Sequence, residues 1–292
     1  MAFHHDARTR QLAHHAYEVL EPLHVVAYFG PQVREAEQAL GMPFSPAYVG
    51  MRGAPLGSCS PALVSAAFFN FNPKVIEDGW REARSRYTPE QLLDARETVA
   101  DKAFTRALGD GLQDPSLPGI VDRLTTILTK APKGGRPLGA VNLDLDRTLT
   151  PHVALWQAAT TVREWRGDGH IAALVASDLT PTQAVVFHEA EHPTHLPGKQ
   201  MGRARAQKSR AWSDTEWAEA ADALRHRGLL EPNDERLSDK GVELYQLIED
   251  LTDDASASIW AGVDDAESIL AAVLPFVHAV IDSGILPGGY QK

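Results

Sequence analysis

Residues 223–241, ALRHRGLLEPNDERLSDKG, contain the end of one helix, a short hairpin and the start of another helix. Gly228 follows a helical run, and glycine is the residue that most readily adopts the left-handed conformation closing a helix. Residues 229–231 and 236–237 flank a polar turn, which indicates two short antiparallel strands. Ser238 then caps a long helix. This stretch therefore predicts a helix, a hairpin and a second helix in succession.

The helix before this hairpin begins at a capping box. Ser213 and Glu216 lie three residues apart, so each side chain can bond the backbone N–H of the other residue. Trp217, Ala221 and Leu224 follow at intervals of four and three residues and form one apolar stripe. The spacing predicts an amphipathic helix that buries this stripe and exposes its opposite face.

These elements resemble the recognition helix, wing and following helix of MarR-type winged-helix proteins. The whole chain also resembles a family of actinobacterial tandem helix-turn-helix proteins. The resemblance implies a winged-helix fold, and the MarR type implies a ligand-responsive regulator that binds DNA. The motifs that carry the whole-chain resemblance are Glu21-Pro-Leu-His24, Arg52-Gly-Ala-Pro-Leu-Gly57, Phe69-Asn-Phe71 and Arg166-Gly-Asp-Gly-His170.

An internal repeat agrees with a tandem arrangement. Residues 87–110 parallel residues 237–264 in residue type and apolar spacing, and residues 73–86 parallel residues 215–227. We therefore predict a mainly α-helical fold of tandem winged-helix (MarR-like) repeats. The two repeats would form a single-chain pseudo-dimer with short wing hairpins.

The predicted halves are residues 1–145, with a degenerate wing, and residues 146–292. Residues 130–150 lose the helical periodicity and are predicted as the interdomain connection. Residues 42–61 are rich in proline and glycine and are predicted as an ordered loop. Pro22 should kink or end the first helix.

Composition and charge narrow the class of protein. The chain has 292 residues with 39 acids and 28 bases, and its net charge of −11 repels phosphate backbones. The single Cys59 cannot form an intrachain disulfide, which favours a reducing compartment and hence the cytoplasm. We find no run of about 18 apolar residues and no signal-peptide core, so we expect neither membrane insertion nor secretion. A monomer and a homodimer are both compatible with these features.

The segment from Arg166 to His170 is the first candidate site. We interpret its two glycines as a tight turn between two helices, with Asp168 capping the second helix. One interpretation is a structural corner held by an Arg166–Asp168 pair. In the other, Arg166 binds a carboxylate or phosphate, and His170, oriented by Asp168, transfers a proton.

Further residues would join this segment around a central cleft between the two halves, with His24 and Arg52 reaching it from the N-terminal half. The leading hypothesis is a winged-helix scaffold that binds a small molecule in this cleft. Such a protein could act catalytically in specialised metabolism and would bind DNA weakly or not at all. The expected catalytic residues are His170, Asp168 and His24, and the expected ligand-binding residues are Arg166, Arg52, Trp156, Trp165, Phe69 and Phe71.

A DNA-binding, ligand-responsive regulator is the alternative hypothesis. The predicted recognition helix exposes Glu216, Glu219 and Asp222, and carboxylates on this face would repel phosphates. Residues 199–210, by contrast, contain five bases and no acids, and this basic loop could bind DNA or an anionic ligand. The DNA-binding residues under this alternative are Arg203, Arg205, Lys208, Arg210 and Arg236.

The sequence from His188 to His192, His-Glu-Ala-Glu-His, matches the zincin pattern in which two histidines one helical turn apart bind zinc. A zinc-dependent hydrolase through His188 and His192 is the second alternative. Pro193 would stop the helix immediately, so a polar helix end is the competing interpretation. The sequence contains neither a P-loop nor a GxGxxG motif, which disfavours nucleotide-dependent phosphoryl or hydride transfer.

Overall fold

The computed structural model describes residues 3–196 and 200–286. The regular structure in these residues is helical, which confirms the predicted mainly α class. No helix in the described part of the chain has the length and hydropathy needed to cross a membrane. The helices are α1 (Ala7–Phe29), α2 (Pro31–Leu40), α3 (Phe44–Gly53), α4 (Pro61–Ala67), α5 (Pro73–Arg86), α6 (Pro89–Leu108), α7 (Leu117–Thr129), α8 (Pro137–Leu143), α9 (Pro151–Ala176), α10 (Pro181–Glu189), α11 (Arg203–Arg210), α12 (Asp214–His226), α13 (Asp239–Ala257) and α14 (Ala266–Asp282), with short 3₁₀ turns at Ala54–Leu56 and Gly109–Gln113.

Local sequence signals set the starts of several helices. Thr88, Thr180 and Ser213 each accept a hydrogen bond from the backbone N–H three residues further on, and each belongs to a complete capping box. Ser238 caps α13 in the same way through the N–H of Gly241. The stripe predicted for α12 is buried, so both the start and the buried face of that helix are confirmed.

Helix α9 corrects the prediction of a corner at residues 166–170. It runs without a break for 26 residues. A Cβ at Gly169 would lie 2.4 Å from Nη1 of Arg136 and 3.0 Å from Cβ of Ala255. Glycine is therefore needed here because other segments approach the helix closely, and not because the chain turns.

Three segments predicted as irregular contain helices, namely α3 in the predicted loop, α8 in the predicted connection and α11 in the predicted basic loop. In α3 the glycines face a neighbouring helix: a Cβ at Gly50 would lie 2.8 Å from Cβ of Ala83, and one at Gly53 would lie 3.0 Å from the Trp80 ring. Pro22 lies inside α1 and does not end it. Residues that interrupt helices in isolation are thus tolerated here because packing compensates for them.

Helices α1 and α9 form the centre of the molecule. They pack against each other, α1 also packs against α13 and α14, and α9 packs against α6 and α7. The largest apolar core lies around these helices and includes Trp156, Trp165 and Trp260. The two parts of the chain therefore share one core.

Each part of the chain also carries a smaller helical unit. In the N-terminal part α5 packs against α3 and α4, and in the C-terminal part α10 packs against α11 and α12. Two isolated bridges lie beside the second unit: Leu230 pairs antiparallel with Leu237, and Glu191 pairs parallel with Arg236. The first bridge joins the two sides of the predicted hairpin, but within the described residues no regular strand forms on either side.

Candidate functional site

The turn between α4 and α5 contacts the turn between α11 and α12. The backbone N–H of Asn72 donates to the carbonyl of Arg210 at 2.9 Å, and the indole N–H of Trp212 donates to the carbonyl of Asn70 at 3.0 Å. The Asn72 side-chain amide also donates to Oε1 of Glu216 at 3.4 Å. We call this contact the turn junction. It brings the N-terminal ends of α5 and α12 together.

The outward face of α12 is acidic. Glu219 and Asp222 are exposed, while Glu216 is half-buried because it caps the helix together with Ser213. The nearby Arg225 pairs with Asp222 at 2.7 Å, so it offers little positive charge of its own. A phosphate that approached this face would meet carboxylates.

The bases predicted to contact DNA have different environments. Arg203 and Arg236 pair with acidic residues of the hairpin segment. Arg205 and Lys208 are exposed on α11 and have no ion-pair partner among the described residues. Lys199, expected in the same basic segment, lies outside the described residues. Only Arg205 and Lys208 therefore combine exposure with an uncompensated charge in the described part of this segment.

Arg210 points away from the exposed side of α11, contrary to its assignment as a DNA contact. Its guanidinium carbon lies 4.4 Å from the centre of the Phe71 ring, and the side chain is half-buried. Burial lowers the pKa of Arg210. Its charge is therefore directed into the protein.

One face of α9 is partly accessible and ends at a small cavity. Between residues 158 and 170, only Arg163, Gly167 and His170 are partly accessible, and their spacing of four and three residues places them on one face of the helix. A small, partly open cavity of about 30 Å³ adjoins His170, with room for one or two water molecules. We call this feature the α9 crevice. Its other polar lining residues include Asn70, His188, Tyr245 and Glu249.

His170 presents a hydrogen-bond acceptor to the α9 crevice. Its Nδ1 lies 3.0 Å from the hydroxyl of Thr252, which itself donates to the carbonyl of Ile248 at 2.7 Å. The hydroxyl must therefore accept from Nδ1–H, which leaves the lone pair on Nε2. Burial, followed by the positive charge of Arg166, lowers the pKa of His170 to about 3. Such a ring suits hydrogen bonding at neutral pH better than the expected proton transfer.

Two arginines on or next to α9 form ion pairs. Arg52 donates to both carboxylate oxygens of Glu164, at 2.7 and 2.8 Å, and this pair is buried. Burial alone would raise the pKa of Glu164, but the positive charge of Arg52 outweighs it and holds that pKa well below its usual range. Arg163 lies 3.5 Å from Glu21, which is a looser contact. The crevice therefore borders on a strongly charged interior.

Arg166 and Asp168 do not pair with each other. Arg166 binds two carboxylates of α13, with 2.6 Å to Asp253 and 3.1 Å to Glu249. Asp168 instead accepts a hydrogen bond of 2.8 Å from the backbone N–H of Gly139, in the first turn of α8. Both the predicted Arg166–Asp168 pair and the orientation of His170 by Asp168 are wrong, because the continuous helix points these side chains in different directions.

The carboxyl of Asp168 should make stability depend on pH. Its burial is the main cause that raises its pKa to about 6, from a usual value near 3.8. Because the pKa of Asp168 is higher in the folded state than in the unfolded state, the protonated carboxyl stabilises the fold. This contribution to the free energy of unfolding is complete below about pH 4 and is lost as the pH rises through about 6. We expect Asp168→Asn to flatten the dependence of the unfolding free energy on pH between these values, as measured by urea denaturation. An unchanged slope would contradict the raised pKa.

The remaining predicted ligand-binding residues are distributed between cores and the crevice. Trp156 and Trp165, expected on a cleft wall, are fully buried in the main core. His24 is buried, with Nδ1 3.2 Å from the Thr160 hydroxyl, and burial holds its pKa well below the usual value. Phe71 contacts Arg210 as described, and Phe69 packs against the C-terminal core. Most of the residues expected around the central cleft therefore lie in packed cores, whereas His170 lines the α9 crevice.

His188 and His192 do not form the helical pair of a zincin site. Helix α10 ends at Glu189, and the following Ala190 is extended, so the two histidines are not one helical turn apart. Both rings lie near Tyr245, at centroid distances of 6.2 and 5.0 Å. Among the described residues, no group of three or more histidine, cysteine, aspartate or glutamate side chains is arranged to hold a metal ion. His188 instead lines the α9 crevice.

A larger cavity, of about 330 Å³, lies between α7, α9 and the segment that joins α8 to α9. The side-chain amides of Asn142 and Gln157 in its wall already bond each other and the buried Arg96. Arg147, also in the wall, is paired with acidic residues of α6. The larger cavity has the greater volume, whereas the availability of polar groups favours the α9 crevice. We favour the crevice, because Nε2 of His170 has no hydrogen-bond partner among the described residues, whereas the amides of the larger cavity are already bonded.

Several residues of the site were not predicted as such. The α9 crevice is lined by Tyr245 and Glu249. The ion pairs near it involve Arg163 and Glu164. The spacing of Arg163, Gly167 and His170 would have indicated one helical face if the segment had been interpreted as a continuous helix. The two glycines concealed this signal because they suggested a turn.

Comparison with known proteins identifies the family but no individual relative. No curated protein and no solved structure matches the chain. A family model described as a helix-turn-helix family matches residues 13–287. The match includes both smaller helical units, the turn junction and the helices around the α9 crevice. The chain therefore belongs to this helix-turn-helix family.

Proposed function

We propose that this protein binds a small molecule, is built from two winged-helix halves, and binds DNA weakly or not at all. The turn junction is the observation that carries the proposal. It occupies the ends of the two helices that a DNA-binding protein of this architecture would insert into DNA. The α9 crevice is the proposed binding site, and a cytoplasmic location remains part of the proposal because of the single Cys59.

The order and packing of the helices support a tandem, MarR-like pseudo-dimer in one chain. Apart from α2, which has no counterpart, the helices of the two halves correspond in order. The first series is α1, α3, α4, α5, α6 and α7, and the second is α9, α10, α11, α12, α13 and α14. Their contacts repeat too: α1 packs against α13 and α14 as α9 packs against α6 and α7, and α3 packs against α5 as α10 packs against α12. The bridged hairpin would be the C-terminal wing. Only Tyr87 and Thr88 separate α5 from α6, which leaves no room for an N-terminal wing.

The turn junction disfavours DNA recognition by both halves. Dimeric helix-turn-helix proteins place two recognition helices in major grooves about 34 Å apart. Here the ends of α5 and α12 are linked directly, with the Asn72 amide donating to Glu216. The exposed carboxylates of Glu219 and Asp222 add repulsion towards phosphates.

If the DNA part of the proposal is right, random duplexes at physiological salt should bind with a dissociation constant above about 10⁻⁴ M. This is weaker than the usual range of non-specific binding. Fluorescence anisotropy with a labelled duplex measures it. The variant Arg205→Ser/Lys208→Ser is the matched test, because these are the exposed, unpaired bases of α11. Binding tighter than about 10⁻⁶ M that this variant abolishes would overturn the proposal.

A DNA-binding regulator is the second candidate function. The family match and the free charges of Arg205 and Lys208 favour it. In this case α11 would contact one phosphate backbone while the junction opened or stayed clear of the groove. The anisotropy experiment decides between the two candidates, because only the regulator requires tight, salt-dependent binding.

The ligand part of the proposal is tested by thermal unfolding in the presence of a metabolite set. A true ligand at about 100 times its dissociation constant should stabilise the protein by about 2.7 kcal/mol. A crystal structure of the stabilised complex should then show the ligand in the α9 crevice, in contact with His170. A ligand found only in the larger cavity beside α7 would contradict the assigned site.

A further inference from the structure

The larger cavity beside α7 is bounded on one side by the segment that joins α8 to α9, residues 144–150. Leu145, Arg147 and Leu149 line the cavity, whereas the residues at positions 144, 146, 148 and 150 are exposed. Side chains alternate in this way in an extended chain. We call this segment the strap. One of its faces is therefore a wall of the cavity, and the other faces solvent.

The strap is attached through its side chains rather than its backbone. In the described part of the chain, no hydrogen bond involves the backbone of residues 145–149. Arg147 instead pairs with Glu97 at 2.8 Å and with Asp94, and Lys133 pairs with Asp144 at 2.6 Å. Ion pairs that solvent reaches contribute little stability each. Moving the strap outward therefore costs little, and this movement would admit a molecule to the cavity.

The chemistry of the other walls suits an apolar molecule. Most of the lining residues are apolar, and they include Val121, Leu128, Leu143, Ala154 and Ala158. The buried polar groups among them already have partners: the Asn142 amide donates to the carbonyl of Leu138, and the Thr161 hydroxyl donates to the carbonyl of Gln157, both at 2.9 Å. A hydrophobic molecule would leave these bonds intact and gain by its own burial.

The charges that line this cavity are acidic in balance. Asp122 is exposed and has no ion-pair partner among the described residues. Arg147 is the cation of the lining, but the carboxylates of Asp94 and Glu97 offset its charge. A negatively charged ligand would therefore meet no free counter-charge here, and would lose part of its hydration without compensation.

We propose that the cavity under the strap binds an uncharged hydrophobic molecule of about ten carbon atoms. This inference goes beyond the proposed function, because it adds a second site for a different class of ligand. A cavity of about 150 Å³ lined by apolar side chains binds benzene. The cavity under the strap has about 330 Å³, so two fused rings are the size that fits it.

The test compares 2-naphthol, which is uncharged at about pH 7, with 2-naphthoate, which has the same rings and a negative charge. Ligand-observed NMR on the full chain measures both. We expect 2-naphthol to bind with a dissociation constant of the order of 0.1 to 1 mM. We expect 2-naphthoate to bind at least about 10-fold more weakly. Equal binding of the two probes would overturn the proposed ligand class.

Two variants assign the binding to this cavity. Leu145→Asn places an amide in the strap wall and should weaken the binding of 2-naphthol about 10-fold. Thr148→Asn, on the exposed face of the strap, is the matched control and should leave binding unchanged. Ala154→Phe adds a ring to the α9 wall, where the half-buried position has room for it, and should also weaken binding at least about 10-fold. Leu145→Asn lies outside the helices, so it keeps the test valid if Ala154→Phe does not fold.

The outcomes separate this inference from the proposed function, because the two cavities share no lining residue. If 2-naphthol binds no more tightly than about 10 mM, or if Leu145→Asn weakens it no more than Thr148→Asn does, the second site is wrong and the α9 crevice is unaffected. If the metabolite set yields no ligand of the crevice while 2-naphthol binds as expected, the proposed function fails and this inference stands.

Discussion

Replacing Glu164 with alanine should destabilise the protein by about 3 to 5 kcal/mol, because the change leaves Arg52 buried without its charged partner. The exposed fraction of the side chain is only 9% for Arg52 and 1% for Glu164. Two hydrogen bonds of 2.7 and 2.8 Å join them. Urea denaturation at neutral pH measures the effect. Since Arg52 holds the pKa of Glu164 far below its usual range, the pair's contribution persists at neutral pH and is lost only in strong acid.

An exposed pair supplies the matched control for this prediction. Arg81 binds Glu77 at 2.7 Å on the surface of α5, and Glu77→Ala should cost less than about 1 kcal/mol. The double variant Arg52→Met/Glu164→Met should recover much of the loss, because removing both charges leaves neither one unpaired. A cost below about 1 kcal/mol for Glu164→Ala would show that the pair contributes little in solution.

Replacing Gly241 with alanine should destabilise the C-terminal unit by at least about 2 kcal/mol. A Cβ at this position would lie 2.1 Å from the carbonyl oxygen of Leu229 and 3.3 Å from Cβ of Leu237. The first contact is with backbone, which cannot rotate away. The carbonyl of Leu229 also accepts the N–H of Ser238, so the clash would separate α13 from the hairpin segment. Thermal or urea unfolding measures the loss.

Gly119 in α7 is the control for Gly241. No atom lies within 4 Å of a Cβ built there, and its backbone is helical. Gly119→Ala should therefore be neutral or stabilise the protein by up to about 1 kcal/mol, since alanine favours the helix. If the two substitutions had equal effects, the close approach at Gly241 would not be the cause.

Predictions that depended only on residues close together in the sequence were the most successful. The predicted caps Ser213 and Ser238 begin α12 and α13, and the stripe from Trp217 to Leu224 is buried as its spacing indicates. The acidic outward face of α12 follows from the same spacing. Caps and apolar periodicity act within one or two helical turns, so they are present in any short window of sequence.

Predictions that used glycine and proline as turn signals were the least successful. Gly169 lies within α9, and Gly50 lies within α3, each where another segment approaches the helix. Pro22 likewise lies within α1. A glycine that permits a turn and one that permits a close contact are identical in sequence, because only the distant segment that approaches it distinguishes them.

The candidate site was predicted in part. His170 was selected and lines the α9 crevice, whereas Arg52 and Phe71 were selected but do not line its cavity. Their partners were not foreseen: Arg52 binds Glu164, and His170 contacts Thr252. Arg210 was assigned to DNA because it follows other bases in sequence, yet its side chain turns inward onto Phe71.

The sequence by itself determined the helical class, several helix starts, the buried stripe of α12 and the sign of the charge on its outward face. Only the tertiary structure decided that the two turns meet, that Glu164 is the partner of Arg52 and that Arg210 is left without one among the described residues. Residues within a helical turn are held near each other by the chain itself. Arg52 and Glu164 are 112 positions apart, and their pairing exists only because packing brings α3 and α9 together.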